Sequence, residues 1–229
     1  MLLRTTVYID GYNLYYGCLR GTAHKWLDLS VLFEQCVLPS SAPHPSSLTG
    51  IKFFTAPILE KVAKSQDSVS SQSRYHTALG KKYPQKIEII KGYYSLITAS
   101  AKKVDTRTPK TWARLCEDVQ IWKVEEKQSD VNLALHLYHD AINGLSDQLV
   151  IVTNDTDIAP ALAMVRKFKP EVVIGLVIPS RDEARVPNTE LAELAHWVRT
   201  HITDDELAKS QLPRVIQGGK KPTIKPESW

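Results

Sequence analysis

The sequence has few cysteines and no long hydrophobic run, and each shortage argues against a class of protein. Only three cysteines occur in 229 residues, at positions 18, 36 and 116, far apart and with no C-x-x-C pair. We therefore expect neither a disulfide framework nor a thiolate zinc site. No segment approaches the ~18 apolar residues of a membrane-spanning helix, and the first residues contain no signal-peptide core. We expect a cytoplasmic protein without a membrane partner.

Glycine-rich signatures and a strong charge excess are also missing. The ten glycines are scattered and form neither G-x-G-x-x-G nor a Walker A motif, so the usual signature of nucleotide-cofactor binding is absent. Lys and Arg number 29 against 25 Asp and Glu, a net charge of +4. Four of these basic residues lie in 213–229 beside one acidic residue. We interpret 1–212 as one domain and 213–229 as a basic, disordered tail.

Apolar β-branched runs alternate with helical patterns along the chain. The runs at 5–9, 51–56, 87–90, 119–124, 149–152, 172–178 and 197–202 predict strands. Segments 65–83, 130–142 and 158–168 have helical composition or spacing, whereas 95–118 has the composition of a loop. This alternation predicts an α/β fold with a mainly parallel sheet.

Carboxylates follow or flank several of these elements. Asp10 ends the first predicted strand, Asp155 and Asp157 follow the strand at 149–152, and Asp130 begins a helix. Ligands gather at the carboxyl ends of strands in open α/β sheets, and hard divalent cations prefer carboxylate oxygens. Each residue could instead have a purely structural role. Asp10 fits a turn, Asp157 fits the N-cap of the helix at 158–168, and Ser129 or Asp130 fits the N-cap of the helix at 130–142.

Three blocks resemble the signature segments of the NYN domain family, the LabA-like, PIN-like nucleases. They are Tyr8–Leu14, Lys127–Ala134 and Val152–Asp157, in the family's order, and the similarity runs from about Val7 to His201. The resemblance implies a PIN-like three-layer α/β/α fold and metal-dependent RNA cleavage. It also implies that Asp10, Asp130, Asp155 and Asp157 form an acidic quartet, with Asn13 as their polar companion.

From this resemblance we predict a ribonuclease that hydrolyses the phosphodiester bonds of single-stranded RNA. Asp10, Asp130 and Asp155 would hold one or two Mg²⁺ or Mn²⁺ ions, and Asp157 would complete the site. We assign substrate contacts to polar and basic residues of the blocks and of the 95–118 segment: Asn13, Asn154, Lys127, Lys102, Lys103 and Arg107. A homodimer is a reasonable expectation for a domain of this kind.

Two alternatives belong to other classes of function. One is an RNA-binding or regulatory protein that does not cleave. The other is an oxidoreductase, a monooxygenase acting on a small aromatic, because some sequences resembling this one are described as pyridine-ring hydroxylases. That reaction would require a reduced nicotinamide or flavin, for which the sequence contains no motif.

Overall fold

Six apolar segments pair into one parallel sheet. The computed structural model describes residues 2–63, 65, 67–104, 106–107, 111–219 and 221–229. The strands of this sheet are β1 (Leu3–Asp10), β2 (Ser46–Thr55), β3 (Ile87–Lys91), β6 (Gln148–Val152), β7 (Val173–Val177) and β8 (Trp197–Arg199). Two further pairs of strands lie outside the sheet: β4 (Tyr93–Lys102) with β5 (Asp118–Lys127), and β9 (Val215–Ile216) with β10 (Thr223–Ile224). All five residues of β6 are buried, as expected of a strand covered on both faces.

Helices cover both faces of the sheet and form the outer layers. Because the sheet separates the buried side chains into two hydrophobic clusters, the core has two halves. The first half packs under α1 (Gly11–Leu14), α2 (Leu29–Val31), α3 (Leu38–Ser41), α4 (Ser68–Lys82) and α8 (Asp204–Lys209), and the second under α5 (Ser129–Ile142), α6 (Ala159–Phe168) and α7 (Thr189–Leu194). π-Helical turns at Tyr15–Leu19 and Leu32–Val37 continue α1 and α2. The predicted three-layer α/β/α fold is confirmed.

The strand order places the first strand beside the sixth. The order is β3-β2-β1-β6-β7-β8, so the chain builds one half of the sheet outward from β1 and then returns to build the other. Ile9 lies opposite Val152 in parallel register, and both strands end at the same edge. This boundary between the two halves is the topological switch point, where ligands of open α/β folds bind.

The first third of the segment 95–118, which we expected to be a loop, is a strand. Residues from Tyr93 to Lys102 form β4, which pairs antiparallel with β5 along its whole length. Polar residues alternate with small and apolar ones in this ribbon. The sequence of β4 therefore contains no continuous apolar run that would have predicted a strand. The ribbon leaves large side chains exposed, including Ile97 and Trp122, at 46% and 71%.

The basic tail also differs from our expectation of disorder. Its described residues form the β9–β10 pair, with Ile216 and Thr223 buried. The ring of Trp229 lies 6.3 Å from that of Trp26 and 5.7 Å from that of Tyr75. The apolar residues scattered among lysines and prolines therefore cover the domain.

Among the helices that the structure describes, none combines the length and the apolar composition of a membrane span. The cytoplasmic location stays a prediction.

Gly17, in the turn that follows α1, tests the close packing of that turn, and Gly80, in α4, is its matched comparison. A Cβ atom on Gly17 would lie 1.7 Å from the carbonyl oxygen of Pro179, whereas one on Gly80 would meet no atom within 4 Å. We expect Gly17→Ala to lower the free energy of unfolding by about 2 kcal/mol, because backbone must move. Gly80→Ala should raise it by about 1 kcal/mol through helix propensity.

Urea unfolding followed by circular dichroism measures both glycine variants. Equal stability of Gly17→Ala and the unmodified chain would contradict the close approach of the Tyr15–Leu19 turn to Pro179.

Candidate active site

The switch point brings a buried carboxylate to the edge of the sheet. Asp10 ends β1 and is only 6% exposed. Its carboxylate caps α1 by accepting a hydrogen bond from the backbone N–H of Asn13 at 2.9 Å, and it also accepts from the Asn13 amide and from the Thr153 hydroxyl, the latter at 3.0 Å. All of these donors are neutral. Among the described residues, Asp10 is therefore fixed in place without a cation at hydrogen-bonding distance.

The loop after β6 holds the next two carboxylates. Asp155 caps the short 3₁₀ turn Thr156–Ile158 by accepting from the backbone N–H of Asp157 at 3.0 Å. The sequence left open a helix cap for Asp157, but Asp155 is the residue that caps, because the 3₁₀ turn starts before the helix. The Asp157 side chain is exposed.

A third segment, the junction between β5 and α5, delivers two more acidic residues. Gln128 has a φ of 74°, a left-handed conformation that costs a non-glycine residue about 1 kcal/mol. This turn lets the chain leave β5 and begin α5 at once. Glu126 and Asp130 consequently lie on either side of the turn and both line the cleft. Ser129 donates a hydrogen bond to Glu126, and neither Ser129 nor Asp130 caps the helix.

The predicted quartet is thus assembled, and its charges repel one another. Asp130, Asp155 and Asp157 each bring a carboxylate oxygen within 4.8 Å of the others. Burial, followed by the charges of Asp10 and Asp155, raises the pKa of Asp130 to about 6. Burial also raises the pKa of Asp10, against the opposing effect of its hydrogen bonds.

A cleft of two adjoining lobes opens over these carboxylates. The first, which we name the acidic lobe, has a volume of about 520 Å³ and is lined by Asp10, Glu126, Asp130 and Asp155. The second, the Lys25 lobe, has a volume of about 310 Å³ and extends from Tyr12 to Lys25, His76 and Trp229. Within the described part of the chain, no basic side chain lines the acidic lobe.

Tyrosines form the wall that the two lobes share. Tyr12, Tyr15, Tyr16 and Tyr94 line both. The rings of Tyr12 and Tyr16 have centroids 4.4 Å apart, and Tyr15 meets Tyr16 edge-on at 5.3 Å. The Tyr94 hydroxyl donates to Glu126 at 3.1 Å. Such a wall suits a flat aromatic ligand that stacks on a ring.

Sequence reasoning missed Glu126 and Tyr94. Both belong to the β4–β5 ribbon, whose first strand we had interpreted as a loop. The position of Glu126, four residues before Asp130 in the chain, could have suggested it as a candidate. The sequence did not reveal the turn at Gln128 that places Glu126 and Asp130 in one cleft.

The remaining predicted substrate contacts lie outside the cleft. Lys102 pairs with Asp118 at 2.8 Å, Lys103 with Glu117 at 3.4 Å, and Lys127 with Glu125 at 2.5 Å. Arg107 is exposed at the far end of the ribbon. Asn154 accepts a hydrogen bond from the backbone N–H of Asn188 at 2.8 Å. None of these five residues lines either lobe, whereas Asn13 lines the acidic lobe.

Comparison with known proteins identifies a close relative. The chain is 56% identical to 6-hydroxy-3-succinoylpyridine 3-monooxygenase HspA of Pseudomonas putida over 237 aligned positions, which cover 99% of this chain and 75% of the relative. No protein-family model matches the chain, so the NYN resemblance stays a prediction. A solved structure of a protein of unknown function from Vibrio parahaemolyticus aligns at 14% identity with a TM-score of 0.49, covering 89% of this chain and 95% of that one.

This relative overturns the predicted ribonuclease. A chain 56% identical to a monooxygenase along nearly its whole length is not expected to be a hydrolase, and the predicted Mg²⁺ or Mn²⁺ cofactor was wrong with it. The physical reason is that clustered carboxylates suit protons and hydrogen-bond donors as well as divalent cations. The finding favours the alternative of a monooxygenase acting on a small aromatic. The RNA partner and the homodimer stay untested predictions.

The repulsion within the acidic lobe generates a stability test. Because the folded-state pKa of Asp130 is about 6, above its value in the unfolded chain, ionisation of Asp130 destabilises the fold as the pH rises through 6. Asp130→Asn should therefore be more stable than the unmodified chain at pH 8, on the order of 1 kcal/mol after screening by water. The difference should vanish near pH 4.

Asp147→Asn serves as the control of opposite sign. Arg4 lowers the pKa of Asp147 through hydrogen bonds, so this variant should lose stability at pH 8 and approach the unmodified chain at low pH. Urea unfolding at both pH values, with a chelator present, measures the two. An Asp130→Asn chain less stable at pH 8 than the unmodified one would contradict the electrostatic account.

Proposed function

We propose that this chain, which belongs to the family of 6-hydroxy-3-succinoylpyridine 3-monooxygenase, is a monooxygenase that oxygenates a hydroxypyridine with an acidic side chain. The observation that carries the proposal is the 56% identity across 99% of the chain. A cleft that combines tyrosine rings with carboxylates supports it, because the rings offer a stacking surface and the carboxylates accept hydrogen bonds from a ring hydroxyl or N–H.

The overall reaction consumes dioxygen and reducing equivalents. One oxygen atom enters the organic substrate, and the other leaves as water after taking up two electrons from a reductant and two protons. A reduced nicotinamide or flavin is the usual source of those electrons.

The acidic lobe does not fit the dinucleotide form of such a reductant. Four carboxylates line it, and the described residues place no basic side chain there. A pyrophosphate would meet the negative charge of these four carboxylates, and the sequence has no glycine-rich fingerprint to bind it. We therefore assign the acidic lobe to the hydroxypyridine ring.

The carboxylates have a direct chemical role toward such a ring. A hydroxypyridine that loses its hydroxyl or ring N–H proton becomes electron-rich, which favours attack by an oxidant. Asp130 suits the removal of that proton, because a pKa of about 6 leaves it mostly ionised, yet still basic, at neutral pH. Asp10, held by Asn13 and Thr153, would keep the ring in place by accepting a hydrogen bond.

Isotope labelling tests the proposed reaction. The purified chain is incubated with 6-hydroxy-3-succinoylpyridine, NADH and ¹⁸O₂, and the pyridine product is examined by mass spectrometry. We expect one ¹⁸O atom in the hydroxylated ring, and none when the label is supplied as water instead. Label entering from water, or no oxygen uptake with any reductant tested, would refute the proposal.

Substitution of Asp130 tests the base. We expect Asp130→Asn to lower kcat by about 100-fold or more, the usual contribution of a general base. In the unmodified chain, kcat should rise with pH through about 6 as Asp130 ionises, and the variant should lack this rise. Asp118→Asn, an exposed residue of the ribbon, is the matched control and should keep full activity. An unchanged pH profile in Asp130→Asn would remove Asp130 from this role.

A further inference from the structure

The Lys25 lobe contains polar groups without hydrogen-bond partners. Thr55 and Ser71 line it and are only 7% and 2% exposed. Within the described residues, neither hydroxyl makes a hydrogen bond, whereas the nearby hydroxyls of Ser68 and Ser70 are each bonded. Buried polar groups are almost always satisfied in native proteins. Both hydroxyls line one cavity, so a polar ligand bound there would give them hydrogen-bond partners.

His76 adds a third unpartnered group to the same wall. Its ring packs edge-on against Phe53 and near Tyr75, with no hydrogen bond to either nitrogen among the described residues. Burial, reinforced by the charge of Lys91, lowers the pKa of His76 to about 4. The imidazole is therefore neutral at pH 7 and offers one N–H donor.

Lys25 supplies a positive charge to this lobe. Its side chain is half-buried and forms no ion pair with a described residue, whereas most lysines around the cleft and ribbon are paired. Two acidic residues also line the lobe. Glu126 is engaged by Tyr94 and Ser129, and Asp67 is exposed. Lys25 is thus available to an anionic ligand.

Aromatic and apolar side chains form much of the rest of the lobe. Phe53, Tyr75 and Trp229 form its floor and side, and about 310 Å³ accommodates a short aliphatic chain. Because the lobe meets the acidic lobe across the shared tyrosines, a ring on that wall could extend a substituent into it. The acidic lobe repels anions, whereas the described residues of the other lobe include the cation Lys25.

We propose that the Lys25 lobe binds the carboxylate-terminated side chain of the substrate, with Lys25 pairing the carboxylate and Ser71, Thr55 and His76 donating hydrogen bonds. This assignment rests on the proposed function for the identity of the ring. It fixes the orientation of the substrate: the hydroxypyridine ring lies toward Asp10 and Asp130, and the acidic tail points away from them. The opposite orientation would place an anion among four carboxylates.

Succinate is the probe that tests the lobe without any turnover. Its titration is followed by the intrinsic fluorescence of the tryptophans, since Trp229 lines the lobe. We expect saturable quenching by succinate in the full chain. Lys25→Gln should weaken binding by about 10-fold or more, as for a charge-assisted hydrogen bond, and Ser71→Ala by about 3- to 10-fold.

Lys209→Gln is the matched control, because Lys209 lies on α8 in an exposed pair with Asp205. It should bind succinate as the unmodified chain does. Equal binding by the control, Lys25→Gln and Ser71→Ala would overturn the proposal, as would the absence of saturable quenching. If Lys25→Gln does not fold, Ser71→Ala alone decides the outcome.

Two substrates test the assignment of the Lys25 lobe independently of the proposed monooxygenase activity. The first is 6-hydroxy-3-succinoylpyridine, and the second is its analogue with a butanoyl side chain, which has no carboxylate. We expect Lys25→Gln to raise KM at least 10-fold for the first and to leave KM for the second unchanged. Turnover of both with no dependence on Lys25 would refute the lobe assignment but keep the monooxygenase. Succinate binding that depends on Lys25, without turnover, would refute the monooxygenase but keep the lobe.

Discussion

The parallel pairing of β1 with β6 is the constraint on which the site depends. Ile9 and Val152 lie side by side, so the chain leaves both strands at one point of the sheet edge. Thr153 therefore donates to Asp10 across a sequence separation of 143 residues. Several parts of the cleft are built on this junction: Tyr12, Tyr15 and Tyr16 follow β1, the Asp155 turn follows β6, and α5 packs against β1 from the second half of the core. A shift of register between these strands would separate the carboxylates.

The acidic lobe stores electrostatic repulsion that the rest of the fold must offset. Neutral donors hold Asp10, and Asp130 responds to its neighbours with a raised pKa. The neighbouring lobe differs in containing Lys25, which forms no ion pair with a described residue, and the buried residues Thr55 and Ser71 beside aromatic rings. The contrast between the lobes gives the cleft a direction. A ligand with a proton-donating ring at one end and a carboxylate at the other matches both.

The carboxylates show how a correct placement can accompany a wrong reaction. We expected Asp10, Asp130 and Asp155 to converge, and they line one lobe. Their convergence follows from strand ends and a helix start, which the sequence reveals. The choice between a metal ion and a proton depends on what else surrounds the oxygens, which here includes Glu126 and the tyrosine wall. Only the kinship with a monooxygenase separated these chemistries.

The sequence by itself determined the parallel sheet, most strand positions and the acidic residues at its edge, because buried runs and their termini are local patterns. Tertiary structure decided the rest. The β4–β5 ribbon has mixed composition and is defined by the pairing of its strands, so its Glu126 and Tyr94 could not be assigned to the cleft. The tail contains only scattered apolar residues, and Trp229 acquires its place by contact with Trp26 and Tyr75. Lys25, Thr55 and Ser71 share no motif; they meet because distant segments fold around one cavity.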